Sequence, residues 1–206
     1  MTAPFPFVAL DMEGVLVPEI WVNVAKLTGI EALKRTTRDE PNYNTLMAYR
    51  RDILDREGIT LPRIQEVIGT LEPLPGARAF LDWLRSRYQV AIISDTFQQF
   101  AGPLLEKLAW PTLLCNTLEV SDAGRICGWR LRQPDQKRHA IEALKALQYQ
   151  VVAAGDSFND LSMLAAAHRG ILYRPPAAIR VSHPQYPVVE DLDALSSAID
   201  AAFAGL

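Results

Sequence analysis

The chain has 206 residues, with 21 Lys and Arg against 24 Asp and Glu for a formal charge of −3, and 49% of its residues are hydrophobic. That length suits one domain, or one domain with a modest insertion, and the charge balance excludes a chain-wide basic footprint for nucleic acid. No apolar run reaches the roughly 18 residues of a membrane-spanning helix. The start, MTAPFPFVAL, lacks a basic n-region and runs into Asp11. It therefore reads as a first strand rather than a secretory signal, and the expected location is the cytoplasm. Cys115 and Cys127 are too far apart for a CxxC motif and too few for a disulfide framework, and read as small core residues.

In chain order, Phe5–Leu10 is an apolar run stopping at Asp11-Met12-Glu13-Gly14, the pattern of a buried strand ending in carboxylates. From Pro18 to Glu72 no strand pattern appears. Ile20, Trp21, Val24 and Leu27, then Leu46, Met47, Ile53 and Leu54, then Ile64, Val67, Ile68 and Leu71 follow helical spacing. A helical insertion is expected there, closed by Pro73, Pro75 and Gly76. Ala79, Phe80, Trp83 and Leu84 predict a helix before a strand at Val90–Ile93, and Leu104, Leu105 and Leu108 another after Phe97. A strand at Thr112–Cys115 and a hairpin over Leu118–Leu131, turning at Asp122-Ala123-Gly124, follow. Ile141, Leu144 and Leu147 predict a helix after Lys137, and Val151–Ala154 and Gly170–Tyr173 predict further strands. Strands alternating with helices argue for an α/β fold with a parallel sheet covered on both faces.

Ligands of such sheets bind beyond the carboxyl ends of the strands, and the polar residues collect there. Asp11 and Glu13 follow the first strand, Ser94-Asp95-Thr96 follow the Val90 run, and Asp156 to Asp160 follow the Val151 run. Crowded carboxylates call for a hard divalent cation, and Mg²⁺ leaves coordination positions for phosphate oxygens and water. Residues at i and i+2 of an extended segment share a face, so Asp11 can attack a phosphorus atom while Glu13 moves protons. Lys137 supplies positive charge, and Ser94 with the following amides, including that of Thr96, holds phosphate oxygens.

The ordered set Asp11-Met-Glu13-Gly-Val, Ser94-Asp-Thr, Lys137 and Gly155-Asp156-Ser-Phe-Asn159-Asp160 resembles the four motifs of the haloacid dehalogenase-like phosphohydrolases. The helical insertion after motif one is similar to the cap of the phosphoserine phosphatase group. Glu13 and the run DMEGVLVPEIW most resemble the bifunctional phosphoserine phosphatase/homoserine phosphotransferase proteins. The resemblance implies a Rossmann-like core of residues 1–16 and 74–206 with a small helical cap, 17–73, inserted after the first strand. It implies a Mg²⁺-dependent enzyme acting on L-phosphoserine through an aspartyl phosphate, with homoserine as an alternative acceptor to water. By the same resemblance Asp11 is nucleophile and metal ligand, Glu13 acid/base with its backbone carbonyl on the metal, and Asp156 the second metal carboxylate. Ser94 and Lys137 hold phosphate, Asn159 borders the substrate, and Asp160 orients Lys137 or the metal's waters. In the cap, Glu19 is placed to meet the substrate ammonium and Arg50, or its neighbour Arg51, the carboxylate.

Glu13 and Asp95 depart from the commoner pattern. An extra methylene moves the Glu13 carboxyl outward by about 1.5 Å, and Asp95 is an added acid beside the phosphate loop, suited to an acceptor's amine or hydroxyl. A phosphatase of another small phosphorylated metabolite is the alternative reading. A receiver-like signalling domain would not need the 18–72 insertion, and a silent phosphate-binding module would have lost Asp11 or Asp156. His139, His168 and His183 share no ligand spacing, and Trp21, Trp83, Trp110 and Trp129 read as packing residues. Trp21 and the helical faces also offer an apolar surface for a homodimer.

Overall fold

A computed structural model describes residues 5–36, 39, 40 and 42–206. Met1–Pro4 of the N-terminal reading, and residues 37, 38 and 41 of the expected insertion, lie outside them. Seven strands form one sheet: β1 (Phe5–Leu10), β2 (Gln89–Phe97), β3 (Leu113–Val120), β4 (Ile126–Arg130), β5 (Tyr149–Gly155), β6 (Arg169–Tyr173) and β7 (Val188–Val189). Their spatial order is β4-β3-β2-β1-β5-β6-β7. Every pairing is parallel except the β3–β4 hairpin. Phe7 and Ala9 of β1 face one apolar cluster with Ile93, Ile141 and Val151, while Val8 and Leu10 face the other with Ile92, Phe100 and Val152. Both faces are buried, so the central strands are continuous apolar runs.

Strand order reverses between β1 and β5, and the crevice at that switch is where an open α/β sheet accepts a ligand. Asp11 follows β1 there and Asp156 follows β5.

Between β1 and β2 lie α1 (Ile20–Thr28), a 3-10 turn (Glu31–Lys34), α2 (Tyr43–Arg56), α3 (Leu61–Gly69) and α4 (Ala77–Arg85). Asn42 caps α2 by accepting from the Thr45 amide, and Pro62 sits in the first turn of α3, both standard helix starts. The first three helices share an apolar cluster with one sheet face. Their hydrogen bonds reach α5 (Gln98–Lys107) and the hairpin. Gln65 Nε2 donates to the Gln99 carbonyl at 2.8 Å, Leu61 N to the Gly124 carbonyl at 2.8 Å, and Trp129 Nε1 to Asn44 Oδ1 at 2.8 Å. The remaining helices are α6 (Gln136–Ala146), α7 (Leu161–Ala166), α8 (Ala177–Ser182) and α9 (Leu192–Ala204).

Several sequence expectations change. The strand at Thr112–Cys115 and the first arm of the hairpin are one strand, β3, whose inner half is buried deeper than its exposed outer end. The sequence reading passed over α7, α8, β7 and α9. Cys127 is exposed rather than in the core. Trp110 is 66% exposed, in a left-handed turn after α5. Trp21 is buried: its ring packs edge-on against Phe100, with the Arg50 guanidinium 4.5 Å from its centroid. Among the described residues no helix is long and apolar enough to cross a membrane.

Candidate active site

The site begins at the carboxyl end of β1. Gly14 follows Glu13 with φ +80°, and a Cβ there would come within 2.6 Å of the Asp156 carboxyl. Only glycine lets the chain turn away at that point and leave the β5 carboxylate room beside β1. Asp11 is buried, and its Oδ1 accepts from Lys137 Nζ at 2.8 Å; the same ammonium donates to Asp160 Oδ1 at 2.6 Å. Lys137, 3% exposed, is delivered by the first turn of α6. Burial alone would lower its pKa, but Asp11, Asp160 and Asp95 outweigh burial and hold it well above the usual lysine value. It is an ammonium.

Asp160 is held through both carboxylate oxygens. Its Oδ2 accepts from the amides of Asp156 (3.0 Å) and Ser157 (2.9 Å) and from Ser157 Oγ (3.0 Å). This binds the loop after β5 into one turn beneath Lys137. Asp11, Asp156 and Asp160 each bring a carboxylate oxygen within 4.8 Å of the others. Three carboxylates gathered beside one ammonium make an anionic cluster when all are ionised. Burial first, then Asp160 and Asp156, push the Asp11 carboxyl well above its ordinary value against the pull of Lys137. The residues therefore fit a hard divalent cation: the donors are oxygens and the cluster is anionic.

Glu13 points toward the helical segment. Its Oε2 accepts from the Ile20 amide at 2.8 Å, the first residue of α1, which fixes the carboxyl and leaves Oε1 uncommitted in that bond. Burial, then Glu19, raises its pKa to about 7, against the Ile20 hydrogen bond and Arg50. Such a group exchanges protons readily at neutral pH.

A cavity of about 210 Å³ is lined by Asp11, Glu13, Glu19, Arg50, Ser94–Phe97, Asp156 and Asn159. It contains residues from three of the four sequence motifs, with Lys137, the other motif, meeting it through Asp11, and both expected recognition residues of the insertion. Arg50 is 5% exposed, and its pKa falls to about 10 through burial. Nη2 donates to the Arg35 carbonyl at 2.8 Å and Nη1 lies 3.8 Å from Met47 Sδ, but Nε is buried with no partner. Arg51 points elsewhere and pairs with Asp52 at 2.8 Å. Helix phase separates them: Arg50 follows Leu46 and Met47 on the buried face of α2. Glu19 is exposed at the rim. Ser94 and Thr96 are buried, and the Thr96 amide donates to Ser94 Oγ at 3.3 Å. Asp95 Oδ1 accepts from Gln136 Nε2 at 2.8 Å and Oδ2 from Asn159 Nδ2 at 2.9 Å.

Three residues that sequence reasoning passed over also meet this loop: Tyr43, Asn116 and Gln136. Asn116 and Gln136 are buried carboxamides, and no motif marks them. Trp21, read as packing, packs and also forms the face beneath Arg50.

A model of the haloacid dehalogenase-like hydrolase family matches residues 7–168. A protein named phosphoserine phosphatase ThrH from Pseudomonas aeruginosa is 54% identical over 186 residues, covering 90% of this chain and 91% of that one. A phosphoserine phosphatase of Pseudomonas syringae pv. tomato is 51% identical over 90% of this chain and 78% of its own length. Among solved structures, a phospho-aspartyl intermediate analogue of phosphoserine phosphatase superposes with TM-score 0.78 at 20% identity, over 95% of this chain and 99% of that one. A substrate-bound phosphoserine phosphatase complex gives TM-score 0.73 at 21% identity, over 93% and 96%. The two structures share the fold; sequence identity over nearly the whole chain and the family match carry the kinship, and the chain belongs to the haloacid dehalogenase-like hydrolases.

Proposed function

We propose that the protein is a cytoplasmic Mg²⁺-dependent phosphoserine phosphatase that works through a phosphorylated Asp11 and can pass the phosphoryl group to homoserine as well as to water. One observation carries the substrate reading. A buried Arg50 with an unpartnered Nε faces the same small cavity as the Asp11 carboxylate. A buried guanidinium without a carboxylate is costly unless a ligand supplies one. Glu19 at the rim is placed for an ammonium, so phosphate, carboxylate and ammonium each have an answering group. The names of the two Pseudomonas relatives agree with this reading. We take residues 17–73 as the cap, and residues 1–16 with 74–206 as the core.

Asp11, Asp156 and the Glu13 backbone carbonyl would hold Mg²⁺, which when bound neutralises phosphate charge. Lys137 holds Asp11 Oδ1, leaving Oδ2 to attack phosphorus. The bond from phosphorus to the serine oxygen breaks as the Asp11–phosphorus bond forms, and Glu13 gives its proton to the departing oxygen. Water or the homoserine hydroxyl then attacks the acyl phosphate and returns a proton to Glu13. Asp11 is released as a carboxylate. Ser94 and the amides after it hold the equatorial oxygens.

The test is incubation with phosphoserine, Mg²⁺ and homoserine while inorganic phosphate and phosphohomoserine are both measured. Both products are expected. Absence of phosphohomoserine removes transfer, and absence of both with turnover of another small phosphomonoester favours a different metabolite. Asp11→Asn is expected to lower turnover by roughly 10⁴–10⁶-fold, as removal of a covalent nucleophile does. Glu13→Gln is expected to lower it by about 10²–10⁴-fold.

A further inference from the structure

Strand β2 pairs with β3 in two registers: Ile93 stands opposite Leu114, but Phe97 stands opposite Asn116. Three residues, Ser94, Asp95 and Thr96, thus face a single residue, Cys115, across the sheet. Such an irregularity takes backbone groups out of the ladder and re-aims the strand, and it occurs beside active sites. The freed buried carbonyls must find other donors.

They find side chains from three separate elements. Gln136 Nε2, at the start of α6, donates to the Ser94 carbonyl at 2.9 Å. Asn116 Nδ2, on β3, donates to the Asp95 carbonyl at 3.1 Å, and Tyr43 Oη, at the start of α2, donates to the same oxygen at 2.9 Å. Each carboxamide is fixed from its other end. Arg132 Nε donates to Gln136 Oε1 at 3.3 Å, and the Arg132 amide to Asn116 Oδ1 at 3.0 Å. The NH₂ groups therefore point at the loop. Burial, then Asp95, pushes the Tyr43 phenol well above its ordinary value, so it stays a donor.

In a trans peptide the carbonyl of one residue and the amide of the next point in opposite directions. Pulling the Ser94 carbonyl toward α6 turns the Asp95 amide the other way. Pulling the Asp95 carbonyl toward Asn116 and Tyr43 does the same for the Thr96 amide, which accordingly reaches Ser94 Oγ. The cavity that holds Asp11 is lined by Ser94–Phe97 as well.

We propose that Gln136, Asn116 and Tyr43 are positioning residues that hold the Ser94 and Asp95 carbonyls and so aim the Asp95 and Thr96 amides at the phosphoryl group in transfer. This rests on the phosphatase reading above. Donors fixed in advance at the developing charge are the effective ones, because they need not reorganise during reaction. Tyr43 gives the arrangement a second consequence: the helical insertion completes the grip on a core loop.

The experiment compares the full-length parent with Gln136→Met, which keeps the length and loses the donor, and Tyr43→Phe, which loses one hydroxyl. Hydrolysis of phosphoserine and of p-nitrophenyl phosphate is measured with Mg²⁺, together with inhibition by vanadate and inorganic phosphate. For Gln136→Met a fall in kcat of about 10–100-fold is expected, the usual cost of losing a group that orients a reacting one. KM should stay within about threefold, the signature of an interaction made in the transition state. Vanadate inhibition should weaken with kcat while phosphate inhibition changes less, a split that a packing role would not produce. Tyr43→Phe, whose carbonyl keeps Asn116, should lose about 2–12-fold, the worth of one neutral hydrogen bond. Variants matching an active parent in kcat and vanadate affinity overturn the proposal. If Gln136→Met does not fold, an unchanged kcat in Tyr43→Phe overturns it alone. A parent that hydrolyses neither ester overturns the phosphatase reading instead.

Discussion

Two buried cations lie in the same neighbourhood and are treated in opposite ways. Lys137, from the sheet core, is answered by Asp11 and Asp160 at 2.8 and 2.6 Å. Arg50, from the helical insertion, has an aromatic ring beneath it, one backbone carbonyl and an orphaned Nε. The core side of the cavity is assembled in advance, whereas the insertion side keeps binding capacity in hand. On the proposed reading, groups that act on every turnover are held by permanent partners. On the same reading, a group that recognises one part of one ligand is left for that ligand to satisfy.

The contrast is broken most severely at Lys137. Lys137→Met leaves two buried carboxylates facing each other, and removal of one member of a buried pair costs about 3–5 kcal/mol. In a chain of this size that lowers the melting temperature by of order 10 °C, with phosphatase activity lost; calorimetry and turnover together check it. Arg50→Met should do the reverse to stability, leaving the melting temperature unchanged or raised, because no carboxylate is deprived. Its KM for phosphoserine should rise by about 10–100-fold, the worth of hydrogen bonds to a charged group, with less effect on KM for p-nitrophenyl phosphate. Equal loss on both esters would refute the carboxylate role. The smallest effect lies away from the cavity, at His168, whose Nδ1 accepts from the Val151 amide at 3.0 Å. Burial, then Lys145 and Arg169, depresses its pKa below 6.5. The neutral ring is favoured in the fold, so this stability is present above pH 6.5 and is lost as pH falls toward the lower folded value. Between pH 7.5 and 5.5 the parent should lose more melting temperature than His168→Gln.

The sheet was legible because parallel strands buried on both faces are uninterrupted apolar runs, and Phe5–Leu10 was read with the bounds it has. The edges were harder. At β3 the pattern passes from half-buried to exposed, which splits one strand into two signals. Helix α9 carries a plain signal that the sequence reading passed over: the Asp191 side chain accepts from the Ala194 amide, and Leu192, Leu195, Ile199 and Phe203 follow helical spacing behind it. The acids stood out because they collect at strand ends, and Lys137, in the first turn of α6, because it falls in motif order with them. Gln136 and Asn116 did not, since a carboxamide's meaning depends on which carbonyl lacks a partner, and that follows from the register of β2. Choosing Arg50 over Arg51 needed the phase of α2, which Leu46, Met47, Ile53 and Leu54 fix by placing Arg50 on their face.

The hydrogen bond from the Ile20 amide to Glu13 gives one carboxylate two employments. It stands at the positive end of α1, where an acceptor satisfies a free amide, and it is the group assigned the proton. The position therefore answers to architecture and to chemistry at once, and the two demands can be separated by choice of substitute. Glutamine keeps an oxygen for the helix and gives up the titrating proton, whereas alanine gives up both. A difference in melting temperature between those two variants measures the tether, and the turnover of the glutamine form measures the chemistry.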